Sequence, residues 1–415
     1  MPSAPLAGMR VLDFTRILSG PYATMLLADL GAEVIKLERP GTGDDTRSWG
    51  PPFVNGMSTY FAAVNRGKRS VAIDLQSERG RALAVELAAS ADILIENFRP
   101  GVSARLGLAY DQLEPLNSGL VYASINGFGS HGPRAQDAGT EVIVEAQTGL
   151  MAMMGTPDGP PVRFGVAMVD IATGIALVCG VLAALLERDR SGLGRELEFP
   201  LYTTAFSCLA TVIASASVDG ASQEGRWGSG HPSIVPYAAF EARDGFVVLG
   251  AINELMWERL CAALGLADLA GDERAASNER RVGNRGLVDA TIAAAVSSRT
   301  TAEVTEELNR AGVLVAPVRN AAAAVEDPQV AALELVDELD GIRFTRTPLS
   351  QFARRPLAPA QRLGADSAAV LTEALGKGAD EVRELLEARV IELPERPSTP
   401  SPGAVGGGAA HASST

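Results

Sequence analysis

Short apolar runs alternate with helical patterns along the first 130 residues. Strands are predicted at MRVLDF, EVIKLE, SVAIDL, DILIENF and LVYASINGFG. Between them, GPYATMLLADLG predicts a helix that ends at Gly31, and a further helix is predicted from about Ser77 to Ser90. This alternation is typical of an α/β protein with a mostly parallel sheet and helices on both faces.

Later patterns indicate a second, smaller unit. The uncharged stretch 171–186 predicts a buried helix, and RELEF predicts a short strand after it. Two antiparallel strands are expected around 244–245, followed by helices near 254–264, 286–298 and 301–311. We therefore expect a large domain over residues 1–200, a smaller α+β domain over 225–325, and a return to the large domain over 326–393. Residues 394–415 have the composition of a disordered tail.

Composition narrows the class of protein. A hydrophobic content of 47% in 415 residues supports a large core, and a formal charge of −14 argues against nucleic-acid binding. The uncharged stretch is shorter than the roughly 20 residues that a membrane span needs. No signal peptide is visible at MPSAPLAGMR, and three widely spaced cysteines predict reduced, buried thiols. These features favour a cytoplasmic protein without membrane or nucleic-acid partners.

The sequence offers little support for a histidine-based catalytic or zinc site, or for a site that binds a dinucleotide. The only histidines are His131, His231 and His411, too few for a convincing Ser-His-Asp triad or zinc site, and we predict no metal site. The first strand–helix turn, LSGPYA, lacks the GxGxxG spacing of a NAD site. Several basic residues near strand ends or turns suit either a phosphorylated ligand or plain surface solvation: Arg16, Lys68, Arg69, Arg99 and Arg105.

One carboxylate stands at the start of the long apolar stretch. Asp170 in GVAMVDIATG is placed to be the N-cap of the predicted helix, where its oxygens would accept the first N–H groups. A helix N-terminus also favours the ionised form of a carboxylate, and such a group can act as a covalent nucleophile. The two interpretations are compatible.

Six segments, in order, resemble the class III CoA-transferase family. They are GMRVLDFTRILSGPYATMLLADLGAEVIKLERP, NRGKRSVAIDL, ADILIENFRPG, RLGL, GPPVRFGVAMVDIATG and GHPSIVPY. The family includes formyl-CoA:oxalate CoA-transferase, carnitine CoA-transferase and α-methylacyl-CoA racemase, and the resemblance runs from about Leu6 to Leu375. It implies a Rossmann-like large domain built from both ends of the chain, a smaller domain between them, and an interlocked homodimer.

The resemblance also implies a set of site residues. The family's nucleophilic aspartate falls on Asp170, and Glu141 is expected to orient it or assist proton movement. Coenzyme A is implied as a co-substrate, with no tightly bound cofactor. The positions implied to contact it are Leu18, Ser19, Arg39, Ile73 to Gln76, Asn97, Phe98, Arg99, Arg105, Ala138, Gly139, Thr140 and Glu141.

The resemblance leaves the substrates open. The short loop RWGSGHPSIVPY is similar to members that use succinyl-CoA and small dicarboxylates, and Arg226, Trp227 and His231 are candidates for positioning the acceptor acid. An α-methylacyl-CoA racemase is the alternative within the family, disfavoured because Thr140 and Glu141 stand where racemases carry a His-Asp pair. A non-catalytic acyl-CoA-binding protein is the alternative outside it.

Overall fold

The computed structural model describes residues 4–218, 225–352 and 356–394. Most of the predicted tail, 395–415, lies outside these residues. The amino-terminal part runs β1 (Arg10–Asp13), α1 (Ser19–Asp29), β2 (Glu33–Glu38), β3 (Phe53–Val54), β4 (Met57–Ser58), α2 (Thr59–Asn65), β5 (Arg69–Ile73), α3 (Glu78–Ala89), β6 (Ile93–Glu96), α4 (Val102–Leu106), α5 (Tyr110–Leu113) and β7 (Val121–Asn126).

The remaining elements follow in three groups. After β7 come α6 (Glu141–Thr148), α7 (Leu150–Met153), α8 (Met168–Ser191), β8 (Arg195–Pro200), α9 (Leu201–Ser207) and α10 (Ala210–Ala216). The middle group is β9 (Tyr237–Ala242), β10 (Gly245–Gly250), α11 (Glu254–Leu264), α12 (Ala267–Ala270), α13 (Asn278–Gly283), α14 (Arg285–Val296), α15 (Thr301–Arg310) and β11 (Leu314–Pro317). The last is α16 (Ala321–Val325), α17 (Pro328–Ala332), β12 (Val336–Leu339), β13 (Ile342–Thr345), α18 (Ser367–Leu375), α19 (Ala379–Glu387) and β14 (Ile391–Glu392).

A seven-stranded sheet organises the larger part of the fold. Its order is β14-β5-β2-β1-β6-β7-β8, and every pairing is parallel except that of β14 with β5. Alternate residues of each strand face opposite sides, so Val11 packs in one core with α1 and α8, whereas Leu12 packs in another with α3, α18 and α19. The predicted α/β architecture, with helices on both faces of a mostly parallel sheet, is confirmed.

A third hydrophobic core lies within residues 235–313. It is formed by the antiparallel strands β9 and β10 together with α11, α14 and α15. Arg281 is buried there, donates to the Val235 carbonyl oxygen at 2.8 Å and forms an ion pair with Glu254. The hairpin and the three helices predicted for this region are present, whereas the proposed domain boundaries stay a prediction.

Two predictions about burial need correction. Helix α8 has a mean hydropathy of 2.3 over its most apolar window, long and apolar enough to cross a membrane by composition. It is buried along the face that packs on α1 and the sheet, while Ile175 and Leu186 on its other side are exposed. The cysteines are free thiols, but only Cys261 is buried, because Cys179 and Cys208 also lie on exposed faces.

Candidate active site

A cavity of about 560 Å³ opens at the carboxyl ends of β1, β6 and β7. It is lined by residues 16–19 after β1, by residues of the segment 97–105 after β6, by residues 125–127 at the end of β7, by 136–141, and by Asp170 of α8 and Leu201. Strand β1 lies between β2 and β6, so the chain order reverses there. This is the switch point of the sheet, where open α/β folds bind ligands.

Glu141 caps the helix that carries Asp170. The N-cap of α8 is Ala167, which has no side-chain acceptor, and the carboxylate of Glu141 instead accepts the N–H of Val169 at 2.9 Å and the N–H of Asp170. The prediction that Asp170 is the N-cap is therefore wrong. Asp170 is the third residue of α8, and it lines the cavity.

The environment of Asp170 disfavours its charge. Burial, and secondly the charge of Glu141, raise the pKa of Asp170 from 3.8 to about 7. Burial also raises the pKa of Glu141, against the hydrogen bond from Val169. The helix N-terminus was expected to favour the ionised form of Asp170, but desolvation by burial has the larger effect and favours the protonated form. A carboxylate that titrates near neutral pH and is weakly solvated when ionised is suited to nucleophilic chemistry.

A strained loop, residues 16–19, forms another wall of the cavity. Ile17 has a φ of 73°, a left-handed conformation that is rare for a β-branched residue. Its N–H donates to Oδ1 of Asp44 at 3.3 Å, and the Nζ of buried Lys36 donates to the carbonyl oxygen of Thr15 at 2.6 Å. These contacts fix the backbone that leads into α1.

Asn97 ties this loop to the segment after β6. Its amide nitrogen donates to the Arg16 carbonyl oxygen at 2.9 Å, and its amide oxygen accepts the Arg16 N–H at 3.0 Å. The adjacent Phe98 N–H donates to Oε2 of buried Glu96 at 2.6 Å. Two walls of the cavity are therefore held at a set distance by side chain to backbone hydrogen bonds.

The structure brings most of the predicted site residues together. Those that line the cavity are Leu18, Ser19, Asn97, Phe98, Arg99, Arg105, Ala138, Gly139, Thr140, Glu141 and Asp170. The remaining positions, Arg39 and Ile73 to Gln76, do not line it. Arg39 donates to Thr42 at 2.8 Å, the side chain of Ile73 is buried in the sheet core, and Gln76 lies in the turn before α3.

Two cations at the cavity have no acidic partner. Within the ranges that the structure describes, neither Arg99 nor Arg105 forms an ion pair, and both side chains are exposed. Arg16, by contrast, is paired with Asp45 at 3.1 Å. Unpaired guanidinium groups beside a carboxylate-bearing cavity suit a ligand that carries phosphate.

The sequence model of CoA-transferase family III matches residues 6–367. The chain belongs to CoA-transferase family III. This family III enzyme is 39% identical to the succinyl-CoA:glutarate CoA-transferase of Mus musculus over 94% of its own chain and 91% of the relative. It is also 39% identical to the succinate–glutarate CoA-transferase of Agrobacterium fabrum, over 89% and 95% of the two chains.

A solved structure confirms the fold. The CAIB/BAIF family protein from Brucella suis aligns with a TM-score of 0.82 and 37% identity, and the alignment covers 90% of this chain and 100% of that one. The match to the family model, residues 6–367, includes the residues that line the cavity and the helix that carries Asp170. The membership predicted from the sequence segments is confirmed.

Three loop residues proposed for the acceptor acid lie away from the cavity of this chain. Arg226 donates to the carbonyl oxygen of Thr156 at 3.1 Å, and the ring of Trp227 lies under Arg285 at 4.9 Å. His231 stacks on Tyr237 with ring centroids 6.0 Å apart. None of the three lines the cavity that holds Asp170.

Sequence reasoning missed the buried ionic cluster beneath the family III site. Asp13 is fully buried and accepts from Lys68 at 3.1 Å, beside Lys36. Lys68 was a candidate for a phosphorylated ligand, but its ammonium group is buried in this cluster, and Arg69 pairs with Glu33 and Glu373. The sequence did contain a signal for this cluster. A charged residue within an apolar strand, such as Asp13 in VLDF or Lys36 in EVIKLE, is buried only if a group of opposite charge or a hydrogen-bond partner is buried with it.

Proposed function

We propose that this enzyme transfers coenzyme A from succinyl-CoA to a small dicarboxylic acid. The observation that carries the proposal is the carboxylate of Asp170, whose pKa is raised to about 7, in a cavity that Arg99 and Arg105 also line without an ion-pair partner among the described residues. The named activities of the mouse and Agrobacterium relatives support the choice of donor and of acceptor class. Within the part of the chain that the structure describes, no histidine lines the cavity beside Asp170, which disfavours the two-base chemistry of a racemase.

The proposed reaction proceeds by acyl exchange on Asp170. Its carboxylate attacks the thioester carbonyl of succinyl-CoA, the C–S bond breaks, and CoA thiolate leaves a mixed anhydride. The thiolate then attacks the aspartyl carbonyl, which releases succinate and leaves an aspartyl-CoA thioester. The acceptor carboxylate displaces the thiolate from Asp170 to form a second anhydride. Attack of the thiolate on the acceptor carbonyl restores the aspartate and releases the new acyl-CoA, with no net proton transfer.

The intermediate provides a direct test. Incubation with succinyl-CoA alone should add the mass of CoA less one water to the peptide that contains Asp170, with release of one equivalent of succinate. The Asp170→Ala protein should show neither. If wild-type protein gains no adduct and exchanges no CoA with any of a small panel of acyl-CoAs and dicarboxylates, the proposed function is wrong.

The pH dependence tests the role of Glu141. Because the attacking group must be ionised, kcat/KM should rise about tenfold per pH unit below pH 7 and level off above it. In Glu141→Gln the like charge is removed, so the apparent pKa should fall by roughly one unit while burial keeps it above 3.8. The loss of one capping acceptor should also lower kcat by about tenfold.

Glu145→Gln is the matched control for this pH experiment. Glu145 lies one turn further along α6; its charge raises the pKa of Glu141, but the causes of the raised pKa of Asp170 are burial and the charge of Glu141. Its pH profile should coincide with that of the wild-type enzyme. An unchanged profile in Glu141→Gln would show that burial alone sets the pKa of Asp170.

We further propose that the enzyme is a homodimer. Large apolar side chains on α6, α8, α9 and α10 are more than two-fifths exposed in the single chain: Ile143, Ile175, Phe206 and Ile213. Exposed apolar residues on neighbouring helices are typical of a subunit interface. A second subunit would cover them.

A further inference from the structure

The hydroxyl group of Ser19 is buried without a hydrogen-bond partner at the edge of the cavity. Ser19 is 4% exposed, its Oγ has no partner, and the residue lines the same cavity as Asp170. An unpaired buried hydroxyl costs about 1–3 kcal/mol of stability. Such a cost at a cavity wall indicates a group that is satisfied only when a ligand is present.

Close packing of two helices sets Ser19 beside Asp170. Helices α1 and α8 are in contact, and a Cβ atom added to Gly174 would lie 2.8 Å from the carbonyl oxygen of Ser19. Gly174 is one turn after Asp170, so the two residues share one face of α8, with Cβ positions about 5–6 Å apart. Only glycine at 174 allows this approach, which places the start of α1 against the turn that begins at Asp170.

The first turn of α1 adds unsatisfied donors at the same place. The N-cap is Leu18, which cannot accept a hydrogen bond from the helix through its side chain. The preceding N–H groups of Arg16 and Ile17 are already bound to Asn97 and Asp44. Pro21 has no N–H, and the N–H of Tyr22 donates to the Leu18 carbonyl oxygen at 2.7 Å. Among the described residues, the N–H groups of Ser19 and Gly20 have no acceptor, so the first turn presents these two groups and the positive end of the helix dipole at the cavity edge.

We propose that the Ser19 hydroxyl, with the first turn of α1, forms the oxyanion-binding group of the transferase. This inference rests on the proposed function. When thiolate attacks the acyl carbonyl on Asp170, the C–S bond forms and the π electrons move to oxygen. The Ser19 O–H donates a hydrogen bond to that oxyanion. Collapse restores the carbonyl, breaks the C–O bond of the anhydride and releases carboxylate, and the serine keeps its proton throughout.

Removal of the Ser19 hydroxyl should lower the rate of catalysis without lowering the stability of the fold. Ser19→Ala should lower kcat by about 10- to 100-fold with KM changed less than about threefold, since the donor acts on charge that develops in the transition state. Its melting temperature should be equal to or above that of the wild type, because an unpaired buried hydroxyl is removed. Ser19→Thr, which keeps the donor, should recover most of the lost kcat.

Ser350→Ala is the matched control. Ser350 is the other serine with a buried, unpartnered hydroxyl among the described residues, and it lies outside the cavity. Its removal should leave kcat unchanged. A kcat within twofold of wild type in Ser19→Ala, or a change in KM alone, would overturn this inference and leave the proposed function standing. Absence of CoA transfer by the wild-type enzyme would overturn both.

Discussion

Replacement of Asp170 by alanine or asparagine is expected to lower kcat by about 10⁴-fold or more, because the proposed mechanism forms its covalent intermediate on this carboxylate. The neighbouring Glu141 is occupied as the cap of α8 and accepts the N–H groups of Val169 and Asp170. It therefore cannot substitute for the missing carboxylate. Steady-state CoA transfer from succinyl-CoA to the dicarboxylic acid that the wild-type enzyme accepts measures this loss.

The same substitution should stabilise the protein. Burial raises the pKa of Asp170 from 3.8 to about 7, so ionisation is harder in the folded state than in the unfolded chain. The resulting destabilisation is absent below about pH 4, develops as the pH rises to 7, and is complete above it. Asp170→Asn removes it, and because the side chain is partly exposed we expect a gain of about 1–2 kcal/mol at pH 8.

Chemical denaturation at two pH values distinguishes this effect from a general change in packing. The gain in the free energy of unfolding should be present at pH 8 and absent at pH 4. A variant with wild-type kcat would refute Asp170 as the nucleophile. A variant that is inactive but equally destabilised at both pH values would instead indicate that the start of α8 has been disrupted.

Asp13→Asn is expected to destabilise the fold by about 3–5 kcal/mol, the usual result of removing one charge from a buried ion pair. The Asp13 carboxylate accepts from Thr15 Oγ1 at 2.6 Å, Thr24 Oγ1 at 2.6 Å and Lys68 Nζ at 3.1 Å. An amide would keep one acceptor oxygen and turn an NH2 group toward the donors that the other oxygen now accepts from. It would also leave the ammonium group of Lys68 buried without its counter-charge.

The acid sensitivity of this contribution follows from the pKa of Asp13. Burial raises that pKa, but the charges of Lys68 and Lys36 and the hydrogen bonds from Thr15 and Thr24 outweigh it and hold it at about 2. The stability from Asp13 is therefore fully present above about pH 4 and is lost as the pH falls through 2. Urea denaturation at pH 7 measures the difference between Asp13→Asn and wild type.

Asp45→Asn is the control for the buried pair. Asp45 forms an exposed ion pair with Arg16 at 3.1 Å, and its loss should cost less than about 1 kcal/mol. Equal losses in the two variants would contradict the claim that burial gives the Asp13 contact its strength.

Local patterns predicted the secondary structure well where the signal lay within one segment. The helix predicted from about Ser77 to Ser90 is α3, Glu78–Ala89, because the Ser77 hydroxyl accepts the N–H of Gly80 as a helix cap. The hairpin predicted around 244–245 is also present: β9 and β10 pair in antiparallel fashion, with Ala242 opposite Gly245 across a short turn. The start of α8 was misjudged because its cap comes from Glu141, 28 residues before Val169.

The order of strands and helices, the parallel α/β class, the family and the candidate nucleophile Asp170 could all be predicted from the amino-acid sequence. Each of these depends on periodicity or on the identity of neighbouring residues. The raised pKa of Asp170, the capping role of Glu141, the burial of Lys68 with Asp13 and the position of Ser19 became visible only in the folded chain. These properties arise from desolvation and from contacts between segments distant in the chain, neither of which is encoded in any short stretch of residues.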